Sequence, residues 1–461
     1  MSGAFLVLIV AVALTIMVRG LILSRVAYLT VPFLVSAIIL VWLVPQALSA
    51  ANMVGQLPAG GVLVLHLMAL GTLGAVAIGW RLAPWGPPSV PPQRGETPLA
   101  AMLRAAHEER LVLVVGAFVA FALLVQAAIQ MLPPAQLLAR QPSGLVTILR
   151  FLQTVNPVAF VLAFSYVLVR RNVFSVMLFV LSLLTFAAPV LLNFKRNEIV
   201  ELGIAGAFTL WAVRGFALPR VVLPLLAVCG LVVLFGVSEF RARSGYVLNE
   251  AGQVERRLPP LSELLEIDWP DVIATKFSQQ SQEYNNAVHY IAHIDRSGDF
   301  GLGRRFWNQV IKDWLPGQFV GTELKASFFF NTVTLSDALG AFSVSWMVGT
   351  TATGFSDVYF DFSLLGVLVF LVNAWIAGLA YRKGLRGHLD MAAIYPSLAA
   401  ANVVAVTHGG YTLLILLPLL LGARYAIRWS LAPPRRMRRR ATPAPTRNSP
   451  SGVPSGQSMG L

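Results

Sequence analysis

One cysteine, Cys229, stands in 461 residues, and it lies inside an apolar run. That excludes a disulfide framework within the chain, and no thiolate or metal motif accompanies it. A lone Cys in such a run reads as a small core residue. Charge is equally scarce. Asp, Glu, Lys and Arg make up 12% of the chain, where a soluble domain carries about a quarter. The first twenty residues, MSGAFLVLIVAVALTIMVRG, lack a basic leading region and a small-residue cleavage site. They read as a first membrane span and not as a cleaved signal. No internal repeat of fixed period is visible.

What the chain has instead is hydrocarbon. Hydrophobic residues are 56% of it and the mean hydropathy is +0.70. Apolar runs of about 20 residues, enough to cross a bilayer, recur from one end to the other. These predict an all-α polytopic membrane protein with about eleven transmembrane helices and one large, mostly helical periplasmic loop. The expected spans are 2–18, 27–47, 59–80, 110–132, 152–169, 172–193, 197–213, 219–238, 357–381, 389–407 and 410–428. Residues 1–238 thus hold eight spans, interrupted by a Pro-rich cytoplasmic linker at 82–109. Residues 239–356 form the periplasmic loop domain, 357–428 the last three spans, and 429–461 a basic, disordered cytoplasmic tail.

The net charge of +14 is not a nucleic-acid signature, because many of the cations flank apolar segments. There they face lipid headgroups and set orientation. Arg81, Arg104, Arg170, Arg171, Arg214, Arg382, Lys383 and the tail arginines all fall on one side if every span is real. That side is the cytoplasm. The N-terminus is then expected outside, in the periplasm if the cell is Gram-negative, and the C-terminus in the cytoplasm.

Some cations break this rule. The stretch LLNFKRNEIVEL, residues 191–202, places Lys195 and Arg196 in a turn that faces outside. Glu198 and Glu201 then enter the next apolar run, where a carboxylate is costly without a partner or a wet cavity. One reading is local: Lys195 and Glu198 pair across a helical turn, and the acids suit the helix N-terminus. The other is an outward polar pocket in which Arg196 binds an anion. A guanidinium matches phosphate oxygens and keeps its charge when partly desolvated. The loop adds Arg241, Arg243, Arg304, Arg305, Lys312 and Lys325, each of which also reads as a solvated surface cation. It holds 13 of the 21 acidic residues and is rich in aromatics.

Within the loop, residues 269–294 and 303–315 are expected to be helical. His289 and His293 lie four apart, but Tyr290 stands where a metalloprotease helix carries Glu. Either His is a candidate base, since imidazole titrates near neutrality. His408, in THGGY between the last two spans, is expected outside and near the membrane. Asp357 and Asp361 are one helical turn apart at the start of the ninth span, so both can face one cavity. Tyr359 and Phe360 beside them suit a membrane–water interface.

The order of these parts resembles the Wzy-type oligosaccharide repeat-unit polymerases, the O-antigen polymerase group. The resemblance covers roughly residues 190–385. It runs from the outer Arg turn through FGLGRRFWNQVIKDWLPGQF to Gly354-Phe355-Ser356-Asp357-Val358-Tyr359-Phe360-Asp361-Phe362, ending at Gly366. Where that family carries Glu after the first Gly, this chain has Phe355-Ser356-Asp357; where it carries Asn, this chain has Asp361. The resemblance implies a membrane glycosyltransferase that joins repeat units carried on undecaprenyl pyrophosphate into an O-antigen, capsule or exopolysaccharide. Its implied partners are that lipid-linked glycan, the bilayer, a chain-length regulator and a flippase, with no metal or other cofactor. It suggests Arg196, Glu198, His289 and Asp357 for catalysis. Lys195, Arg241, Arg243, Arg304, Arg305, Tyr359 and His408 would hold the pyrophosphate and glycan. An O-antigen-type ligase uses the same donor and a different acceptor. A transporter would more often show paired halves with interrupted helices and mid-membrane charges.

Overall fold

In hydrocarbon a backbone N–H has no water to bond, so a long apolar run closes its hydrogen bonds within itself as a helix. The computed structural model describes residues 2–51, 57–85, 95–132, 145–187, 196–219, 221–222, 225, 245–248, 254–257, 262, 268, 272, 282–315, 317–344 and 350–431. The chain starts with α1 (Ser2–Leu23) and α2 (Val31–Ile38). A π turn, Ile39–Leu43, joins α2 to α3 (Val44–Ala51). Then come α4 (Ala59–Leu82), α5 (Pro98–Ala105), α6 (Glu108–Gln130) and α7 (Leu145–Leu152). After them come α8 (Asn156–Arg170), α9 (Val173–Ala187) and α10 (Arg196–Arg214).

The long segment that follows contains an antiparallel strand pair, β1 (Gly245–Leu248) and β2 (Val254–Arg257), with Gly245 opposite Arg257. Its helices are α11 (Gln282–Ser297), α12 (Arg304–Trp314), α13 (Gly317–Val320), α14 (Thr322–Ser327) and α15 (Leu335–Gly340). The chain returns to apolar helices with α16 (Thr353–Phe362), α17 (Val367–Leu385), α18 (Leu389–Thr407) and α19 (Thr412–Leu431).

Among the described residues, eight helical stretches are long and apolar enough to cross a membrane. Each corresponds to an expected span. The other three expectations have separate outcomes. The run 172–193 is helical as α9, which covers 15 residues up to Ala187. The run 197–213 is helical as α10, but Arg196, Glu198, Glu201 and Arg214 give it a polar character. The run 219–238 lies almost wholly outside the described residues, so eleven spans are not reached among them. In the long segment, α12 matches the helix expected at 303–315. The helix expected from 269 is described only from Gln282 onward.

The expected span 357–381 falls inside a longer, interrupted stretch. The apolar stretch is Thr353–Leu385, 33 residues, and it is broken by a 3-10 turn at Ser363–Gly366. Ser363 has φ 53° and ψ −144°, a backbone conformation that ends α16 and redirects the chain into α17. Asp357 and Tyr359 therefore sit on the first, short helix of the interrupted stretch.

The bundle is built around α18, whose best apolar window is 89% buried, against 11% for peripheral α1. It packs against α17, α19, α10, α8 and α2, while α4 lies along α17. The two ends of the bundle differ. At one end arginines cap helix termini: Arg382 donates to the Trp80 carbonyl at 2.7 Å, and Arg170 to the Arg104 and Ala106 carbonyls at 3.3 Å. At the other end α11 is docked by polar contacts. Glu283 accepts from Trp42 Nε1 at 3.0 Å and Gln46 Nε2 at 3.3 Å, and Gln46 accepts from the Tyr284 N–H at 3.0 Å. The Tyr284 hydroxyl meets His66 Nε2 of α4 at 3.0 Å.

Candidate functional site

The second end of the bundle gathers acids, an arginine and tyrosines around α16. Asp361, fully buried, does the work of an N-cap for a helix 56 residues away. The first backbone N–H groups of any helix lack internal partners, and Gly303, preceding α12, has no side chain to supply one. Asp361 Oδ1 accepts from the Arg305 N–H at 3.0 Å and Oδ2 from the Phe306 N–H at 2.9 Å. The Tyr411 hydroxyl donates to Oδ2 at 2.6 Å. A carboxylate here is also favoured by the helix dipole.

One turn earlier on α16, Asp357 pairs with Arg305 NH2 at 2.8 Å. Arg305 NH1 donates to the Tyr290 hydroxyl at 2.6 Å, and Tyr290 donates onward to the Val333 carbonyl at 3.0 Å. Burial pushes the Tyr290 phenol up to about 12, so it stays protonated and keeps that donor. Burial works against the Arg305 cation, but Asp357, Tyr290 and Asp361 more than offset it and hold the guanidinium above its ordinary value.

Close backbone approach makes this possible. A Cβ on Gly301 would lie 2.3 Å from Asp361 Oδ1 and from the Phe360 ring. The Gly301 N–H donates to the Phe360 carbonyl at 2.7 Å. A Cβ on Gly354 would lie 1.6 Å from the Ala405 carbonyl oxygen, so α16 fits against the end of α18 only with glycine there. Gly354→Ala is expected to destabilise the protein by about 1–3 kcal/mol through overpacking, read as a lowered melting temperature in detergent. An unchanged melting temperature would show that α16 does not sit in this wedge.

Beside the cluster runs an open, apolar groove of about 710 Å³. Leu302 and Phe306 form one wall, Leu365, Leu368 and Val372 another, and Asp361, Ser363 and Tyr411 are its polar members. Leu302 and Ser363 both have positive φ, 50° and 53°. Strained backbone of this kind clusters at functional sites.

The structure sorts the expected site residues into three groups. Asp357, Tyr359, Arg304, Arg305 and His408 are brought together around α16. Two of them are committed to the protein. Arg304 bonds Asp299 at 2.5 Å and the carbonyls of Gly301, Phe300 and Asn331, so its fork staples a turn. Arg305 holds Asp357 and Tyr290, though its side chain remains 30% exposed. Tyr359 donates to Asp295. His408 follows α18, exposed, with Nδ1 2.7 Å from Thr407 Oγ1 and next to the Gly409–Gly410 loop that packs on α16.

His289 and Glu198 stand apart from these. His289 is buried on α11, with Nδ1 2.7 Å from the Asn285 carbonyl of its own helix and its ring against Phe342. Glu198 lies in the first turn of α10, which packs mainly on α8 and α18. Arg196 begins α10. Lys195, Arg241 and Arg243 lie outside the described residues. Among the described residues, no three His, Cys, Asp or Glu side chains form a metal-binding group.

Asp361 and Tyr411 are absent from the residues expected to act. A signal for Asp361 was present: the helix at 304 starts after Gly303 with no Ser, Thr, Asp or Asn to cap it. Those N–H groups are then left to water or to a partner from elsewhere in the chain. No family model, curated protein or solved structure matches the chain.

Proposed function

We propose that this protein polymerises undecaprenyl-pyrophosphate-linked oligosaccharide repeat units into a surface polysaccharide, at the outer face of a bacterial inner membrane. The observation that carries this reading is the apolar groove of about 710 Å³, with Asp361 and Tyr411 buried behind its wall. The hydrocarbon chain of a lipid-linked donor fits a groove lined almost wholly by apolar side chains. The resemblance in motif order between residues 190 and 385 supports the same substrate class. The arginine-capped opposite end of the bundle fits a cytoplasmic face by the bias of cations toward the cytoplasm.

In the reaction, a sugar hydroxyl of one lipid-linked unit attacks the anomeric carbon of another. The bond from that carbon to the pyrophosphate oxygen breaks, and undecaprenyl pyrophosphate leaves with the electron pair. The hydroxyl proton passes to a base, for which Asp357 on α16 and His408, beside the Gly409–Gly410 loop that packs on α16, are candidates. Cations stabilise the departing charge best when preorganised away from water. Arg305, next to the groove residue Phe306, is a candidate for that role, and Arg196 and Lys195 stay in it on the sequence reading alone.

Purified protein in lipid vesicles, given the lipid-linked unit, is expected to release undecaprenyl pyrophosphate as the glycan lengthens. Val372→Trp, which fills the groove, is expected to lower turnover at least tenfold with an unchanged melting temperature. Movement of intact donor across the bilayer without bond cleavage would overturn the reading in favour of a transporter. Transfer only to a lipid A core acceptor would replace it with a ligase.

A further inference from the structure

Helix α12 is lashed at both ends to membrane helices. Asp361, two residues before the break that leads into α17, holds its start. Trp314 at its end donates from Nε1 to the Ile415 carbonyl, in the first turn of α19, at 3.0 Å, and its ring meets Phe151. The helix thus lies across the end of α16 and the start of α19.

On this platform sits a pinned aromatic strip. Trp307 Nε1 donates to the Phe328 carbonyl at 2.9 Å. Asn308 donates to the Phe330 carbonyl at 2.7 Å and accepts from the Phe330 N–H at 2.9 Å. Lys325 Nζ donates to the Lys312 carbonyl at 3.0 Å. The backbone of 328–330 is therefore fixed, yet the rings of Phe328, Phe329 and Phe330 are 41%, 39% and 52% exposed, and Trp307 is 42% exposed. Three consecutive phenylalanines fixed toward solvent cost hydrophobic free energy that a soluble surface does not recover.

We propose that Phe328, Phe329, Phe330 and Trp307 insert into the interfacial layer of the lipid leaflet above which α11–α15 sit. Continuity supports this occupant. The Gly303 turn at the start of α12 abuts the Phe362 ring, and Phe362 leads directly into Leu364, Leu365 and Leu368, exposed at the head of a membrane-spanning helix. The chemistry supports it too. A sugar platform pairs aromatic rings with free polar groups that read hydroxyls, but here the Trp307 N–H and both Asn308 amide atoms are already used on the backbone. The strip offers rings alone, flanked by Lys312 and Lys325, the composition of an interfacial anchor.

The single native cysteine makes a direct test simple. With Cys229→Ser as background, a nitroxide is attached at Phe329→Cys in vesicles of phosphatidylethanolamine and phosphatidylglycerol. Its collision rates with oxygen and with a water-soluble nickel chelate are compared with those at Leu14→Cys, on the exposed face of α1, and at Ser336→Cys, on the solvent face of α15. The expected ratio of oxygen to nickel accessibility at 329 is at least threefold above that at 336 and approaches that at 14. Should Phe329→Cys fail to fold, Trp307→Phe decides. Bromolipids brominated near the headgroup should quench the wild-type protein more than this variant. Nickel accessibility at 329 equal to that at 336, or equal quenching of both proteins, overturns the proposal. A label that is aqueous and becomes immobilised only when soluble oligosaccharide is added would replace the bilayer with a glycan as the occupant.

Discussion

Asp361→Ala is expected to lower the stability of the protein in detergent by about 2–4 kcal/mol, combining a lost helix cap with an orphaned buried hydroxyl. The loss has two parts. The Arg305 and Phe306 N–H groups lose their acceptor, and capping substitutions of this type cost typically about 1 kcal/mol. The Tyr411 hydroxyl, in a residue only 4% exposed, loses its partner in a place water reaches poorly. Asp361→Asn should lose less, since Asn also caps helices, but its amide nitrogen must face one of the three donors. The measurable order is wild type, then Asn, then Ala, by melting temperature. On the proposed function, turnover should follow the same order, because α12 and Tyr411 both line the groove through Phe306 and Tyr411 itself. Equal stability of Ala and wild type would mean that α12 is held by something other than Asp361.

The second large effect belongs to Arg305. Removing one member of a buried ion pair leaves the other charged and poorly solvated, at a cost of about 3–5 kcal/mol. Asp357 is 8% exposed, but the Arg305 side chain is 30% exposed, so solvent already screens part of the pair. Arg305→Ala is accordingly expected to cost about 2 kcal/mol after that discount. Arg305→Lys should recover only part, because one ammonium does not reproduce a fork that spans both Asp357 and Tyr290. In a double-mutant cycle, Arg305→Gln and Asp357→Asn should show a coupling of about 1–2 kcal/mol. Independence of the two substitutions would dissolve the pair. The same variants separate structure from chemistry. If Arg305 only braces α16, activity falls in proportion to unfolding. If it also meets the pyrophosphate, KM for the lipid-linked unit rises at temperatures where the variant is fully folded.

Much of the bundle was legible from composition. The spans expected at 59–80 and 389–407 appear as Ala59–Leu82 and Leu389–Thr407. Apolar length decides where a backbone must bond to itself, and that is a local property. The break at Ser363 was not legible, because hydropathy runs through it and a single φ does not register in an apolar window. Asp357 and Asp361 were legible as two acids on one helical face, but their partners were not. Arg305 and Phe306 come from 50 or more residues away. His289 was legible by residue type, but its contacts were not: Nδ1 lies 2.7 Å from the Asn285 carbonyl of its own helix and the ring packs on Phe342. Residue type suggests a chemistry, and only the neighbours decide whether it is free to act.

The interruption at Ser363–Gly366 has a mechanical meaning. An unbroken helix of 33 residues would be about 50 Å long, while the hydrocarbon slab is about 30 Å thick. It would have to lean steeply, and its upper turns would swing whenever the bilayer thinned or thickened. Divided as it is, α17 alone, with 19 residues, is about 28 Å long and matches the slab. The turn sends α16 off in its own direction, so the acids it carries do not lie along the axis of α17.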